Sequence, residues 1–314
     1  MKPRIMVYGS YAVGMTMHCK VFPAAGQTVL GKNFQQFHGG KGSNQAIAAA
    51  RLGGDVCYVS CVGKDSLGDA ALALFKSEGL DARVKISEEN ATSVGFVMVE
   101  ESGQNRIIIN FDAPMEIGPA DIDALEDELK SCKVLLMQLE ADIPTIVHTA
   151  KKAKEHGVCV ILNPAPYQEL PEEIYPYLDV ITPNETEAKQ MLGIDPSMDI
   201  PPEELGKRLL STGAKEVIIT IGEKGAVLAD AKEITHIPVE RTVAAVDTTG
   251  AGDTFAGGLA VALGEGFPIG EAVRFANMAA GISVTRHGVV ESIPSREEVF
   301  NIINNLKLCG GKRR

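Results

Sequence analysis

An aspartate at the start of a helical run, preceded by hydroxyls and glycines, is the feature of this sequence best suited to chemistry. The stretch reads Val246-Asp247-Thr248-Thr249-Gly250-Ala251-Gly252-Asp253-Thr254-Phe255-Ala256-Gly257-Gly258. An apolar approach over 243–246 ends in small polar residues, and an Ala-rich helix follows from about Gly252 to Leu263. Free amides at a helix start, together with the helix dipole, stabilise an anion. Asp253 would repel that anion, so its carboxylate implies a different role, either taking a proton from a hydroxyl or holding a cation. An N-terminal cap is the competing reading.

Phosphoryl transfer would need a hydroxyl activator, donors for developing negative charge and a metal. Neither the G-x-x-x-x-G-K-[ST] phosphate loop nor the protein-kinase motif set is present, so the donors would come from the backbone around Thr249, Gly250, Ala251 and Gly252. Lys41 sits between two glycines, where nothing apolar competes for its charge, and Glu140 follows an apolar strand. A solvated surface group is the competing reading for each. Asn184 and Glu187 are three apart at a helix start and share a face, which also fits a capping box.

The elements that position these groups alternate. Expected strands cover 4–9, 56–61, 134–139, 158–162, 179–181 and 216–220, with a hairpin of 226–229 and 234–239. Expected helices cover 44–52, 67–78, 119–130, 143–156, 184–192, 202–212, 252–264, 269–284 and 295–307. Continuous apolar strands separated by helices predict a mostly parallel sheet covered on both faces, with ligands at the carboxyl ends of its strands. Gln138, Glu140, Asn163, Asn184, Thr220, Gly222 and Asp247 all fall at such ends. Extended stretches at 11–22, 28–37, 94–100 and 106–110 are too polar for that sheet and fit a small one with a solvated face.

At this point the chain resembles the ribokinase-like (PfkB) sugar and nucleoside kinases. Asp247, Thr248, Gly250, Ala251, Gly252 and Asp253 match the family's D-T-x-G-A-G-D signature, and Gly39-Gly40-Lys41-Gly42-Ser43-Asn44-Gln45-Ala46 matches its G-G-K-G-x-N-x-A signature. Leu136-Met137-Gln138-Leu139-Glu140, Asn163-Pro164-Ala165-Pro166 and Thr182-Pro183-Asn184-Glu185-Thr186-Glu187 continue the match in family order, over about residues 4 to 300. The resemblance implies a three-layer αβα sandwich with a mostly parallel sheet, one domain over 1–314, and a small β lid from about 11–37 and 94–112.

The implied activity is ATP-dependent phosphorylation of the primary hydroxyl of a small sugar, D-ribose first, with 2-deoxyribose, a ketose or a nucleoside as alternatives. A binding protein without turnover is a further alternative, which the retained Asp253 disfavours. By resemblance, Asp253 is the base and Gly250, Ala251 and Gly252 form the anion hole. Gly39, Gly40, Lys41, Asn44 and Glu140 contact the sugar, while Asn184, Thr220, Gly222, Gly252 and Asn277 contact the nucleotide. Glu187 organises Mg2+ through water, and Asp247, Thr249, Val284, His287, Val289 and Ser292 hold K+. A homodimer through the lid is also implied.

One stretch departs from the pattern. Ribose-phosphorylating members carry G-S-x-N-x-D at the end of the first strand, whereas this chain has Gly9-Ser10-Tyr11-Ala12-Val13-Gly14. Ala12 and Gly14 replace two groups that would bond sugar hydroxyls, so the expectation is an opened pocket and weaker ribose selectivity. Tyr11, His18, Asn110 and Asp112 are the candidates to replace the missing contact.

The whole composition bounds the rest. With 314 residues, 45% of them hydrophobic, a large core is available. The net charge of -11 argues against nonspecific nucleic-acid or acidic-membrane binding, and no apolar run reads as a secretory segment or membrane span. Cytoplasmic residence is the expectation. The six cysteines form no metal pattern; Cys57 and Cys61 would share a strand face, too far apart for a disulfide. His38 is expected to be a structural histidine.

Overall fold

The computed structural model describes residues 2–240 and 243–310, with side chains described as far as residue 304. The chain opens with β1 (Arg4–Tyr8), apolar after Arg4. β2 (Ala12–Cys19) and β3 (Gly31–Gly39) pair antiparallel, and Gly40 turns the chain into α1 (Lys41–Arg51). β4 (Asp55–Gly63), α2 (Ser66–Ser77) and β5 (Asp81–Ser87) precede the hairpin of β6 (Val94–Glu100) and β7 (Asn105–Ile109). Short α3 (Pro119–Asp123) and α4 (Glu126–Ser131) lead to β8 (Val134–Met137), α5 (Ile143–Glu155), β9 (Cys159–Leu162) and β10 (Val180–Ile181). α6 (Glu185–Met191), α7 (Pro202–Leu210), β11 (Glu216–Thr220), β12 (Ala226–Ala229) and β13 (Ile234–Ile237) follow. α8 (Ala251–Gly264), α9 (Ile269–Ser283) and α10 (Arg296–Gly310) complete the described chain.

Among the described residues nine strands form one sheet, ordered β13-β12-β11-β10-β9-β8-β1-β4-β5, all running the same way except β12, which is antiparallel to both its neighbours. Alternate side chains of each strand enter opposite cores. Ile5, Val7, Val56, Tyr58 and Leu136 pack with α1, α8 and α9 on one face, while Met6, Tyr8, Cys57, Val59 and Leu135 pack with α5 and α7 on the other. Each such side chain, fully buried, contributes about 1.5–3 kcal/mol from removal of apolar surface from water. The result is the expected three-layer α/β fold.

A second sheet, ordered β3-β2-β6-β7, forms the expected small lid. It joins two distant segments through the parallel pairing of β2 with β6, Val13 opposite Val94 to Cys19 opposite Glu100. Tyr11 and Val13 anchor its base in the core beside Phe75.

One element was not expected and one expectation needs correction. β5 reads as alternating Ala82, Val84 and Ile86 between charged residues, an edge strand paired only with β4, and nothing in the sequence pattern marked it as a separate element. The helix expected over 119–130 divides at Ala124 and Leu125, with Asp123 and Glu126 both pairing with α5 through His148, Lys152 and His156. Cys57 and Cys61 do share a face of β4 as free buried thiols, and burial pushes them up to about 12 and about 11. Cys309 lies outside the described side chains.

Candidate active site

The chain runs from β1 outward to β4 and β5, then returns to β8 on the other side of β1 and continues to β11. The reversal leaves a crevice at the carboxyl ends of β1 and β8, where open α/β sheets bind ligands. Ser10, just after β1, donates its hydroxyl to Glu140, just after β8, and the Lys41 amide donates to the same Glu140 oxygen at 2.8 Å. Glu140 is only 7% exposed, so a solvated strand-end carboxylate is excluded.

The glycines of the first signature make this contact possible. Gly40 caps α1 at φ 92°, and a side chain there would meet the Tyr11 backbone. A Cβ on Gly42 would lie 2.5 Å from Gly9 C and Ser10 N, so α1 reaches the end of β1 only without one. Along the same helix, Asn44 Nδ2 donates to Asp253 Oδ2 at 2.9 Å and Gln45 Nε2 donates to Asp253 Oδ1 at 3.0 Å. Both Asp253 oxygens are therefore held from α1.

Asp253 lies in the first turn of α8, which Gly250 caps in the left-handed conformation. Its side chain binds α1, so it does not cap its own helix. The Ala251 amide donates to Thr248 O at 3.2 Å. The amides of Gly252 and Asp253 belong to a turn that offers its N–H groups no intrahelical acceptor. Asp253, Gly250, Gly252 and Lys41 line a cavity of about 230 Å³ with Asn163, Thr182, Asn184, Glu187 and Thr220.

Charge in this cavity is unbalanced toward acid. Asp253 chiefly, then Glu140 and Glu187, raise the Lys41 ammonium against the opposing effect of burial, so it stays cationic. Burial raises the carboxyl of Glu140, partly offset by Lys41 and Ser10, and burial likewise raises Glu187. Asn184 and Glu187 do form the capping box, with bonds of 2.8 and 2.9 Å. Both still line the cavity, so the box aims them there. Glu187 uses Oε2 for the cap. Among the described residues no group of three acidic, histidine or cysteine side chains is arranged to hold a metal. An oxygen-lined acidic cavity with one cap-bound glutamate suits Mg2+ that keeps its waters and its substrate ligands.

The segments expected to hold K+ meet. Val246 and Asp247 amides donate to Val284 O at 2.7 and 3.2 Å, and Gly288 N donates to Asp247 Oδ2 at 3.2 Å. Burial would raise Asp247, but the Thr249 hydroxyl and amide and the Gly288 amide outweigh it and hold the carboxyl below its ordinary range. The two amides use both lone pairs of the Val284 carbonyl, so that group is not free for a cation. Val289 O accepts from the Ser292 hydroxyl at 2.7 Å. His287 lies in the same loop and is exposed.

Not every expected residue reaches the cavity. Gly39, Gly40, Asn44, Glu140, Ala251, Gly222 and Asn277 do not line it; Asn44 and Glu140 stand behind Asp253 and Lys41, which they bond, and Asn277, 8% exposed, donates to Ile237 O at 3.2 Å. The opened pocket at Gly14 is overturned: a Cβ there would lie 2.2 Å from Phe37 Cε2, so the Phe37 ring fills that space. Tyr11 is fully buried and bonds His38 Nδ1 at 2.7 Å, which removes it as a sugar ligand and gives His38 its structural partner. Asn110 Oδ1 accepts from Val94 N at 2.8 Å within the lid, and Asp112 is exposed. Gln45 and Thr182 carry no sign in the sequence strong enough to mark them as site residues. For Gln45, its place on the Asp253 face of α1, beside Asn44, was the available signal.

A model of the pfkB family carbohydrate kinases matches residues 2–296. The ribokinase of Haemophilus influenzae is 37% identical over 306 residues, covering 97% of this chain and 100% of that protein. A deoxyribokinase of Salmonella typhi is 34% identical over 300 residues, covering 95% and 97%. The structure of Arabidopsis thaliana ribokinase complexed with ribose and ATP matches with a TM-score of 0.90 at 31% identity, covering 96% of this chain and 99% of that one. Fold and relatives together define a small-molecule phosphotransferase with a lidded three-layer architecture. More narrowly, the chain belongs to the pfkB family of carbohydrate kinases, and its activity is that of a ribokinase-family sugar kinase.

Proposed function

We propose that the protein transfers the terminal phosphoryl group of ATP to the primary hydroxyl of a small free sugar, with D-ribose as the leading substrate. The observation that carries this reading is Asp253, held at both oxygens by Asn44 and Gln45 while lining a cavity with Lys41, Gly250 and Gly252. Asp253 takes the proton of the attacking hydroxyl. Lys41 and the first-turn amides of α8 stabilise negative charge on the group in transfer. Glu140 and Asn44 orient the sugar; the buried Asn44 Oδ1 has no protein partner and matches a sugar hydroxyl. Asn184 and Thr220, which line the cavity, face the nucleotide, and the family resemblance adds Gly222 and Asn277 to its contacts. Mg2+, when bound near Glu187 through water, neutralises phosphate charge. The ribose and ATP of the Arabidopsis relative support the choice of substrates.

Phe37 covering Gly14, with Ala12 beside it on β2, favours a second reading. A face without polar partners suits a sugar that lacks a hydroxyl there, and the Salmonella deoxyribokinase is nearly as similar as the ribokinase. We also infer K+ between the Asp247 and Ser292 loops, one domain over 1–314, and a homodimer through the lid. The exposed Phe96, Ile107, Ile108 and Ile109 of that sheet support the dimer.

ATP consumption with ribose, 2-deoxyribose, ketoses and nucleosides tests the reading, for the parent and Asp253→Asn, in potassium and in tetramethylammonium. The expected result is sugar-dependent turnover that Asp253→Asn lowers by about 10²-fold or more with ATP affinity retained. Potassium should raise the rate. Turnover of Asp253→Asn within about threefold of the parent removes it as base, equal rates in the two cations remove K+, and sugar-independent ATP consumption removes the assignment.

A further inference from the structure

Asp253 is the end of a buried chain of side-chain amides. Gln138 Nε2 donates to Gln45 Oε1 at 2.6 Å; Gln45 Nε2 donates to Asp253 Oδ1 at 3.0 Å and to Asn163 Oδ1 at 3.1 Å; Asn163 Nδ2 donates to Thr182 O at 2.9 Å. The two glutamines are fully buried, and Asn163 is 8% exposed. Carboxylate and carbonyl oxygens only accept, so the two ends dictate the orientation of every amide between them. Gln45 must turn its nitrogen to Asp253, its oxygen must then receive Gln138, and Asn163 must turn its nitrogen to Thr182.

The backbone is shaped to admit this chain. Gly257, one turn beyond Asp253 in α8, has no room for a Cβ: it would lie 2.8 Å from Gln45 O and 2.7 Å from the Ala48 Cβ. α1 and α8 therefore touch backbone to backbone beside the Gln45–Asp253 bond. Through Gln45, Asp253 is tied to the ends of β8 and β9 as well as to α1.

We infer that Gln45 is a positioning residue for Asp253, with Gln138 setting its orientation. The inference rests on the reading of Asp253 as base. Asn44 supplies one bond, about which the carboxylate could still turn. The second bond, from Gln45, fixes its plane, so the lone pairs still free on the two held oxygens point in set directions. Misplacement of a catalytic group by about 1 Å costs up to 10²-fold in rate.

The test is kinetic, on the intact enzyme with ATP and its best sugar, and uses Gln45→Met, Gln138→Met, Asp253→Asn and the paired variants. Gln45→Met keeps length and helix propensity but removes the donor. The expected result is a kcat lower by about 10-fold or more with KM for ATP and sugar within about twofold. Gln138→Met, which leaves Asp253 untouched, should lower kcat by about threefold in the same pattern. Neither substitution should lower the residual rate of Asp253→Asn further, because the group they position is gone. If Gln45→Met does not fold, Gln138→Met carries the same reading. Parent-like kcat in the folded variants, or losses that multiply with that of Asp253→Asn, would overturn the inference. Parent-like turnover of Asp253→Asn alone would instead overturn the base assignment.

Discussion

Asp253 stood out by its type at a helix start, whereas Lys41, Asn44, Glu140, Asn184 and Glu187, each with an ordinary surface or capping explanation, were marked as site residues by the family resemblance. Gln45 and Phe37 were not. A glutamine on a small-residue helix and a phenylalanine in an extended polar stretch have ordinary explanations, and their significance comes from partners far away in sequence, Asp253 and Gly14. Phe37 changes what Gly14 means. Adding a carboxylate by Gly14→Asp alone should not improve ribose use, because the new side chain meets the Phe37 ring. Gly14→Asp combined with Phe37→Ala makes room and should lower KM for ribose about 10-fold relative to Phe37→Ala, the worth of one buried hydrogen bond to a charged group. Measuring KM for ribose and 2-deoxyribose across the three variants checks this. An equal gain for both sugars, or none, means that β2 does not face the sugar.

At the level of elements, the periodic strands and helices of the main sheet were readable because burial on both faces leaves continuous apolar runs. β5 was not, since an edge strand with one wet face alternates with charges and resembles a loop. Asp65 shows how elements are joined. Its carboxylate caps α2 through the Leu67 and Gly68 amides at 3.0 and 2.8 Å and accepts the amide and hydroxyl of Thr92, both at 2.8 Å. The start of α2 is thus bound to the segment that enters β6. Burial raises this carboxyl, but the four donors outweigh burial and hold it below its ordinary 3.8. A depressed folded value means stabilisation present above the unfolded value and lost as pH falls through the folded one. Asp65→Ala should therefore cost about 1–2 kcal/mol at neutral pH. The gap from the parent should narrow as pH falls below the ordinary value and close once pH passes the depressed folded one. Urea unfolding at both pH values checks this, and a gap independent of pH would mean that the carboxylate is not its source.

On the scale of the whole molecule, the lid presents apolar surface that its own chain does not cover: Ile108 of β7 is 72% exposed and Phe96 of β6 57%. If two lids pair, Ile108→Lys should convert a dimer to a monomer by light scattering and remove the concentration dependence of the melting temperature, with the folded circular dichroism spectrum retained. A monomeric parent at micromolar concentration would end that reading. Among the described residues no helix is long and apolar enough to cross a membrane. The overall architecture was visible in the sequence through motif order, whereas the assembly was not, because extended residues with mixed polarity look alike whether they meet water or another copy. The lid and the crevice divide the proposed contacts by position in the chain. Ala12, Gly14, Lys41, Asn44 and Glu140 precede α5, while Asn163, Thr182, Asn184, Glu187, Thr220 and Asp253 follow it. On the proposed function, most acceptor contacts thus fall in the first half of the chain and most phosphate contacts in the second, with Lys41 and Asp253 meeting across the divide. If those roles hold, substitutions before α5 should change which sugar is used while leaving ATP binding near that of the parent, provided Asn44 and Gln45 still hold Asp253.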